Sequence, residues 1–239
     1  MRSHISRKIF QKLIIWTGYN IGSFPSTIIG VGMVLSGGPR VAVMALQGDF
    51  EKHIEALRRL GADAIAARLP WEIESSDALI IPGGESTTIG KLMSRYRLDD
   101  AVHNAYKLGK PIYGTCAGLI LLAKQIDEGT EEHGGQSTLS ILDISVARNA
   151  YGRQVDSFER DLKIEALGSP DFRAVFIRAP KISSCGRGVE ILAEHEGAPV
   201  LVRQGTVFGS SFHPELSNDD RIHRLFLNAI VKEESRIVV

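Results

Sequence analysis

Val41-Ala42-Val43-Met44-Ala45-Leu46 is an unbroken apolar run with no polar alternation. A strand with one wet face alternates, so a continuous run fits a strand buried on both faces, as in parallel sheets covered by helices. The pattern recurs at Ala64-Ile65-Ala66-Ala67, at Ala78-Leu79-Ile80-Ile81 and, more briefly, at Pro111-Ile112-Tyr113. Helical spacing separates these runs. Asp49 is placed to cap a helix carrying Ile54, Leu57 and Leu60 on one face and stopped by Gly61. Further helices are expected around Ile89 to Met93, over Leu98 to Leu108, and from Cys116 through Leu122. Strands alternating with helices predict an α/β fold, a mixed and mostly parallel central sheet with helices on both faces.

The second half is richer in strands, expected at Ile144 to Ala147, Ala174 to Ile177, Val189 to Ala193, Val200 to Arg203 and Val207 to Ser211. A last helix is expected from Asp219 to Val231 with Ile222, Leu225, Phe226 and Ala229 inward. Asp127 to Ser137 reads as a polar surface loop. No linker marks a second globular unit, so residues 39–239 are expected to form one domain. Residues 1–38 differ in kind: Arg2, Arg7, Lys8 and Lys12 occur without an acidic residue, ahead of a Gly/Ser/Pro-rich run. Such a start fits a transit peptide or a membrane-surface helix. The reading taken here is a poorly ordered extension, set apart from the fold.

Basic and acidic side chains balance at 28 each. That removes the electrostatic case for nucleic acid or an anionic membrane as main partner. The apolar run Ile28 to Leu35 is too short to span a bilayer. Two cysteines, Cys116 and Cys185, cannot build a disulfide framework, and a reducing cytoplasm is the simplest setting for them. No histidine or cysteine pair has metal-ligand spacing, so no metal is expected.

In an open parallel sheet, ligands bind beyond the carboxyl ends of the strands, and three such exits are unusual here. Gly114-Thr115-Cys116-Ala117-Gly118 has the form of a nucleophile elbow with cysteine in the place of serine. Flanking glycines would permit the tight turn, and the amino end of the following helix would favour thiolate. A buried structural cysteine beside packing glycines is the plain alternative. His213-Pro214-Glu215 follows an apolar strand, and on an extended segment residues two apart face the same way. Glu215 could then orient His213 as the base for Cys116. His4, His53, His103, His133, His195 and His223 have no such setting and read as surface residues. Pro82-Gly83-Gly84-Glu85-Ser86-Thr87 could offer backbone N–H groups to an oxyanion. A plain turn capped by Ser86 or Thr87 is its alternative. A phosphate loop fails there on spacing, and Leu92 stands where a serine or threonine is required.

Together these blocks resemble the class I, triad-type glutamine amidotransferases, which have a flavodoxin-like fold. More narrowly they resemble the glutaminase subunits of pyridoxal 5′-phosphate synthases. The resemblance rests on Ala45-Leu46-Gln47-Gly48, on the Pro82 to Thr88 and Gly114 to Ile120 segments, on Arg148 to Glu159, on Val175 to Pro180 and on Ser211 to Glu215. The resemblance implies that Cys116 attacks the side-chain amide of L-glutamine, with His213 and Glu215 completing a Cys-His-Glu triad. It further implies that Gly83, Gly84, Glu85, Arg148, Ile177 and Arg178 bind glutamine. Gln47 would lie near the oxyanion site and the partner contact. A guanidinium fork suits the α-carboxylate of glutamine. The ammonia released would pass to a (β/α)8-barrel synthase subunit within a large hetero-oligomer making vitamin B6. This chain would need no cofactor, and docking is expected at the strand exits near Gln47 and Glu85. Another triad hydrolase, such as a γ-glutamyl hydrolase or an amidotransferase feeding another acceptor, would keep the three residues without that partnership. A non-catalytic scaffold would need none of them.

Overall fold

A computed structural model describes residues 37–127, 136–148 and 157–237. All but residues 37 and 38 of the extension expected over 1–38 and most of the loop expected over Asp127 to Ser137 lie outside the described residues, as does the stretch 149–156. The described part belongs to one compact unit, Leu35–Val239.

The first half alternates as its apolar runs require: β1 (Arg40–Met44), α1 (Phe50–Arg59), β2 (Asp63–Ala67), α2 (Pro70–Glu74), β3 (Ala78–Ile81), α3 (Ser86–Arg95), α4 (Leu98–Lys107), β4 (Ile112–Thr115) and α5 (Ala117–Leu122). The second half runs β5 (Ala123–Asp127), β6 (Leu142–Ala147), β7 (Ser157–Leu162), β8 (Phe172–Ile177), β9 (Lys181–Cys185), β10 (Glu190–His195), β11 (Ala198–Gln204), β12 (Val207–Ser210) and α6 (Arg221–Ile237). The central sheet has seven strands in the order β10-β11-β12-β4-β3-β1-β2. From β12 to β2 every neighbour is parallel, and β10 and β11 add an antiparallel edge.

Alternate side chains of one strand enter different cores, which is why the runs show no polar face. Ala42 and Met44 of β1, with Leu79 and Ile81 of β3, pack with α3, α4 and α5 through Ile89, Met93, Leu98 and Leu121. Val41, Val43, Ala78 and Ile80 face the other way, against Ile54 and Leu57 of α1 and Ile222 and Phe226 of α6. That second core is sealed by Phe172 and Phe176 of β8 and by Phe212. All of these side chains are excluded from water, the dominant favourable term in folding.

The mixed, mostly parallel central sheet expected is present, and two small sheets accompany it. Besides the central one there is a three-stranded sheet, β5-β6-β9, and a two-stranded antiparallel pair, β7-β8. β5, β7, β9 and α2 were not expected. Lys124, Gln125, Glu159 and Asp161 make β5 and β7 polar strands, which hydrophobic pattern alone does not reveal. The last helix continues past Val231 to Ile237. Asp49 stands at the first cap position of α1 but makes no capping hydrogen bond, and its carboxylate lies 3.6 Å from Lys52 instead. Among the described residues no helix is long and apolar enough to cross a membrane.

Candidate active site

Three exits of the parallel strands converge. β4 ends at Thr115, and the chain reverses at Cys116 to enter α5. Cys116 itself carries the unusual backbone, with φ 49° and ψ −102°, while neither Gly114 nor Gly118 has positive φ. The glycines expected to permit the tight turn therefore do not carry its unusual backbone themselves. Gly118 supplies close approach: a Cβ there would lie 2.0 Å from the carbonyl oxygen of Ile81, so only glycine lets α5 pack this tightly on β3. The turn is pinned by the Cys116 N–H, which donates to the Ser210 carbonyl at 2.8 Å. A non-glycine residue at such φ and ψ stores about 1–3 kcal/mol. The surrounding core holds it there, and the sulfur is thereby presented at the sheet edge.

β12 leads through Ser211 and Phe212 to His213, whose backbone N–H donates to Val175 of β8 at 2.8 Å. His213 is extended, but Pro214 opens a single 3-10 turn, Pro214–Leu216. Glu215 therefore meets His213 across a tight turn and not along an extended segment. The contact itself forms: His213 Nδ1 and Glu215 Oε1 are 2.7 Å apart, with the Glu215 side chain fully buried. On its other side His213 stands beside Cys116, both residues lining the same cleft and both lying against Gly83. Burial disfavours charge on His213, yet its interactions with Cys116 and Glu215 raise it to about 10. Burial likewise pushes Glu215 up, but nearby imidazoles and the His213 hydrogen bond hold it down at about 2. The arrangement is a thiol, a readily protonated imidazole and a carboxylate in series.

The third exit follows β3. A Cβ on Gly83 would sit 2.3 Å from His213 Cε1 and 3.3 Å from Cys116 Cβ, so the loop lies directly against the sulfur–imidazole pair. Glu85 caps α3, accepting from the Thr87 and Thr88 N–H groups at 3.0 and 2.6 Å. This replaces the cap expected from Ser86 or Thr87. Burial pushes the Glu85 carboxyl up, but the hydrogen bonds from Thr88 and Thr87 together outweigh it and lower the carboxyl to about 2. The Glu85 N–H donates to Gln47 Oε1 at 2.6 Å. That backbone group, expected to bind glutamine, is already occupied from within the chain.

A cleft of about 220 Å³ opens beside the sulfur, lined by Gly84, Glu85, Ser86, Cys116, Ala117, Ile120, Arg148, Ile177, Arg178 and His213. The expected residues thus gather in one place, with Gln47, Gly83 and Glu215 just behind the wall. Cys116 Sγ is 3.8 Å from the Ile177 carbonyl oxygen. Arg148 donates to Gln136 Oε1 at 2.9 Å and lies 3.8 Å from Glu85, so its fork is held across the cleft. Arg178 is exposed at the rim with φ 43°. Gln136 escaped the sequence reading. Its Oε1 also accepts from Ser86 Oγ at 3.1 Å and Thr87 Oγ1 at 3.3 Å, tying Arg148 to the start of α3.

The histidines correct the sequence reading most sharply. His4 and His133 lie outside the described residues. His53 and His223 are fully buried, and His103 and His195 are half-buried. His103 bonds the Asp99 and Leu139 carbonyls, both at 2.9 Å, and His195 packs on Phe158 and Phe176. His53 reaches the active site from behind, its Nε2 lying 3.2 Å from Glu215 Oε2. A signal for it existed: His53 falls in the stripe Ile54 and Leu57 define on α1, and His223 in the stripe of Ile222 and Phe226 on α6. Cys185 is half-buried on β9, and both cysteines are free. Among the described residues no cluster of three or more histidine, cysteine, aspartate or glutamate side chains could hold a metal ion.

Residues 43–232 match the family model of the SNO glutamine amidotransferases. A relative from Thermotoga neapolitana, named pyridoxal 5′-phosphate synthase subunit PdxT, is 47% identical over 191 residues, spanning 80% of this chain and 99% of its own. One of the same name from Thermus thermophilus is 54% identical over 188 residues, or 78% of this chain and 95% of its own. A crystal structure of a glutamine amidotransferase, 52% identical, superposes with a TM-score of 0.74 over 80% of this chain and 98% of that one. The mostly parallel α/β architecture of this chain is thus shared with that glutamine amidotransferase structure.

Proposed function

The chain belongs to the SNO glutamine amidotransferase family, and from that membership we propose that it is the glutaminase subunit of a pyridoxal 5′-phosphate synthase. The observation that carries the chemistry is the series Cys116–His213–Glu215 at the wall of a cleft that also presents Arg148 and Arg178.

L-Glutamine enters with its side-chain amide toward Cys116 and its α-carboxylate toward the guanidinium groups. The thiolate attacks the amide carbon, forming a C–S bond as the carbonyl electrons move onto oxygen. Backbone N–H groups of the Gly83-Gly84 loop stabilise that oxyanion. Imidazolium at His213 delivers its proton to the leaving nitrogen, and ammonia departs as the thioester forms. His213, now neutral, takes a proton from water, which attacks the thioester to release glutamate and restore the thiol. Glu215 holds the ring with its Nδ1–H inward throughout, the role of the third member in a triad. Gln47 competes with substrate for the Glu85 N–H, so the loop must readjust for Glu85 to contribute a backbone donor.

The ammonia passes to a barrel synthase subunit that docks over the strand exits near Gln47 and Glu85, a placement that keeps the nucleophile from bulk water. Two free thiols suit a reducing cytoplasm. Residues 1–38 are an extension outside the catalytic domain, 39–239.

The test is glutamate release from L-glutamine by the full chain, alone and with its cognate synthase subunit, alongside labelling by a glutamine-like electrophile. Activity that depends on the synthase, with label on Cys116 and not on Cys185, is the expected result. Strong activity with no response to the synthase would move the reading to an independent glutamine or γ-glutamyl hydrolase. No turnover and no selective label would refute the catalytic assignment.

A further inference from the structure

Behind the proposed triad the polar chain continues into the protein. Glu215 has two carboxylate oxygens, and His213 uses only Oε1. Oε2 is sealed from solvent and makes no aligned hydrogen bond, with His53 Nε2 3.2 Å away. His53 Nε2 also lies 3.3 Å from Thr115 Oγ1, and His53 Nδ1 is 2.9 Å from His223 Nε2. The two imidazoles meet edge-on, with centroids 5.2 Å apart and an interplanar angle of 62°. Helices from opposite ends of the chain, α1 and α6, thus each place a fully buried histidine beneath the active site.

The tautomers follow from elimination. Were His53 protonated on Nδ1, its bare Nε2 could accept from the Thr115 hydroxyl but would still face an ionised carboxylate oxygen at 3.2 Å, two electron pairs opposed in a dry site. His223 would then carry its proton on Nδ1, an atom that is buried without a partner. Both faults vanish in the other arrangement. His223 Nε2–H donates to His53 Nδ1, and His53 Nε2–H lies between Thr115 Oγ1 at 3.3 Å and Glu215 Oε2 at 3.2 Å, its positive end toward the carboxylate and a lone pair left unmatched on His223 Nδ1. An unmatched lone pair is better tolerated than a buried N–H with no acceptor. Burial disfavours charge on both rings: it lowers His53 against the raising effect of Glu215, and burial with the neighbouring His53 lowers His223 to about 3. The charged and titratable groups around the pair are Glu215, His213 and Asp49 near His53, and Asp220 and Arg59 near His223, with the Tyr113 hydroxyl close to Glu215.

We infer that His53, held in its Nε2–H tautomer by His223, is a positioning residue for Glu215 and, through Glu215, for the imidazole of His213. Without it a buried carboxylate oxygen loses the one polar N–H group 3.2 Å away, and the carboxyl rotates or takes a proton. Either change frees the His213 ring to turn. The inference rests on the proposed triad.

The experiment compares wild type, His53→Leu, His53→Gln and Cys116→Ala, each as the full chain assembled with its synthase subunit, by kcat, KM and the pH profile of glutamate release. In His53→Leu, kcat falls roughly 10- to 100-fold, the usual effect of removing a supporting partner. KM for glutamine stays near its wild-type value. The acid limb of kcat moves to higher pH, because a carboxylate stripped of its donor is protonated more easily. His53→Gln, with an amide N–H that reaches toward the same oxygen, recovers most of kcat and returns the limb. Unchanged kcat and limb in His53→Leu overturn the inference. Equal losses in both variants with an unmoved limb, the mark of general structural damage, also overturn it. Should His53→Leu not fold, His223→Leu is read in its place: an acid limb moved upward supports the inference and an unmoved limb overturns it. Cys116→Ala separates the two levels. Turnover surviving in it refutes the triad, whereas its silence beside a wild-type His53→Leu refutes only the role of His53.

Discussion

Gly83→Ala adds a single methyl group at the one point where the β3 loop touches the sulfur–imidazole pair. The new Cβ would lie 2.3 Å from His213 Cε1, 3.0 Å from Nδ1 and 3.3 Å from Cys116 Cβ. An ordinary carbon–carbon contact is about 3.5 Å, so Cε1 must retreat by roughly 1.2 Å or the loop must move as far. His213 has little room for that. Its N–H is tied to Val175 and its Nδ1 to Glu215 at 2.7 Å, so the retreat either stretches the Glu215 contact or swings the ring off the sulfur. Misplacement of a reacting group by about 1 Å is worth on the order of 100-fold in rate. Gly83→Ala is therefore expected to lower kcat by about two orders of magnitude. Its circular dichroism spectrum should match wild type, since the clash is local and Gly83 needs no positive φ. Saturating-glutamine initial rates with the synthase subunit present give the number. A variant that folds and keeps wild-type kcat would mean that the ring's position is not what limits turnover, and the argument from contact distance would fail.

Glu215→Gln keeps the volume but removes the charge that holds His213 protonated, so kcat should drop by about 10³- to 10⁴-fold with the fold retained; a loss under tenfold would show the carboxylate to be dispensable. Stability should respond to pH in two windows. His53 and His223 are lowered, His223 from 6.5 to about 3, so below pH 6.5 the unfolded chain takes up protons that the folded one refuses. Each such group lowers stability by about 1.4 kcal/mol per pH unit while the window lasts. The melting temperature should accordingly begin to fall near pH 6.5, above the range where the lowered Glu215 starts to contribute at about 4.5. His213, raised to about 10, adds stability that is complete below 6.5 and lost as pH climbs through 10. A melting temperature flat from pH 6.5 to 4.5 would contradict the buried neutral pair. Removing residues 1–38 should leave kcat unchanged, and a marked fall would place the extension within the working enzyme.

Much of the scaffold is written locally. β1, β3 and β4 are legible because two-sided burial forbids polar alternation, and the elbow and the His-Pro-Glu segment are legible because chemistry at a strand exit needs particular residue types. β5 and β7 are not, since Lys124, Gln125, Glu159 and Asp161 face outward on small sheets that mask no second core. His53 and His223 were misread for a different reason. A lone polar residue in an apolar stripe has no visible partner until α1 and α6 are brought together, 170 residues apart in the chain. The Gln47–Glu85 contact is likewise a matter of two loops meeting.

The backbone at Cys116 sets stability and activity against each other at a single codon. Glycine adopts φ 49° and ψ −102° without the penalty a side chain brings. Cys116→Gly thus relieves the backbone strain of this turn while losing all chemistry. A library of variants sorted for cellular abundance would enrich it, and the same library sorted for glutaminase activity would eliminate it. The retention of cysteine at a position whose geometry favours glycine is what selection for function, as distinct from selection for folding, looks like in this chain.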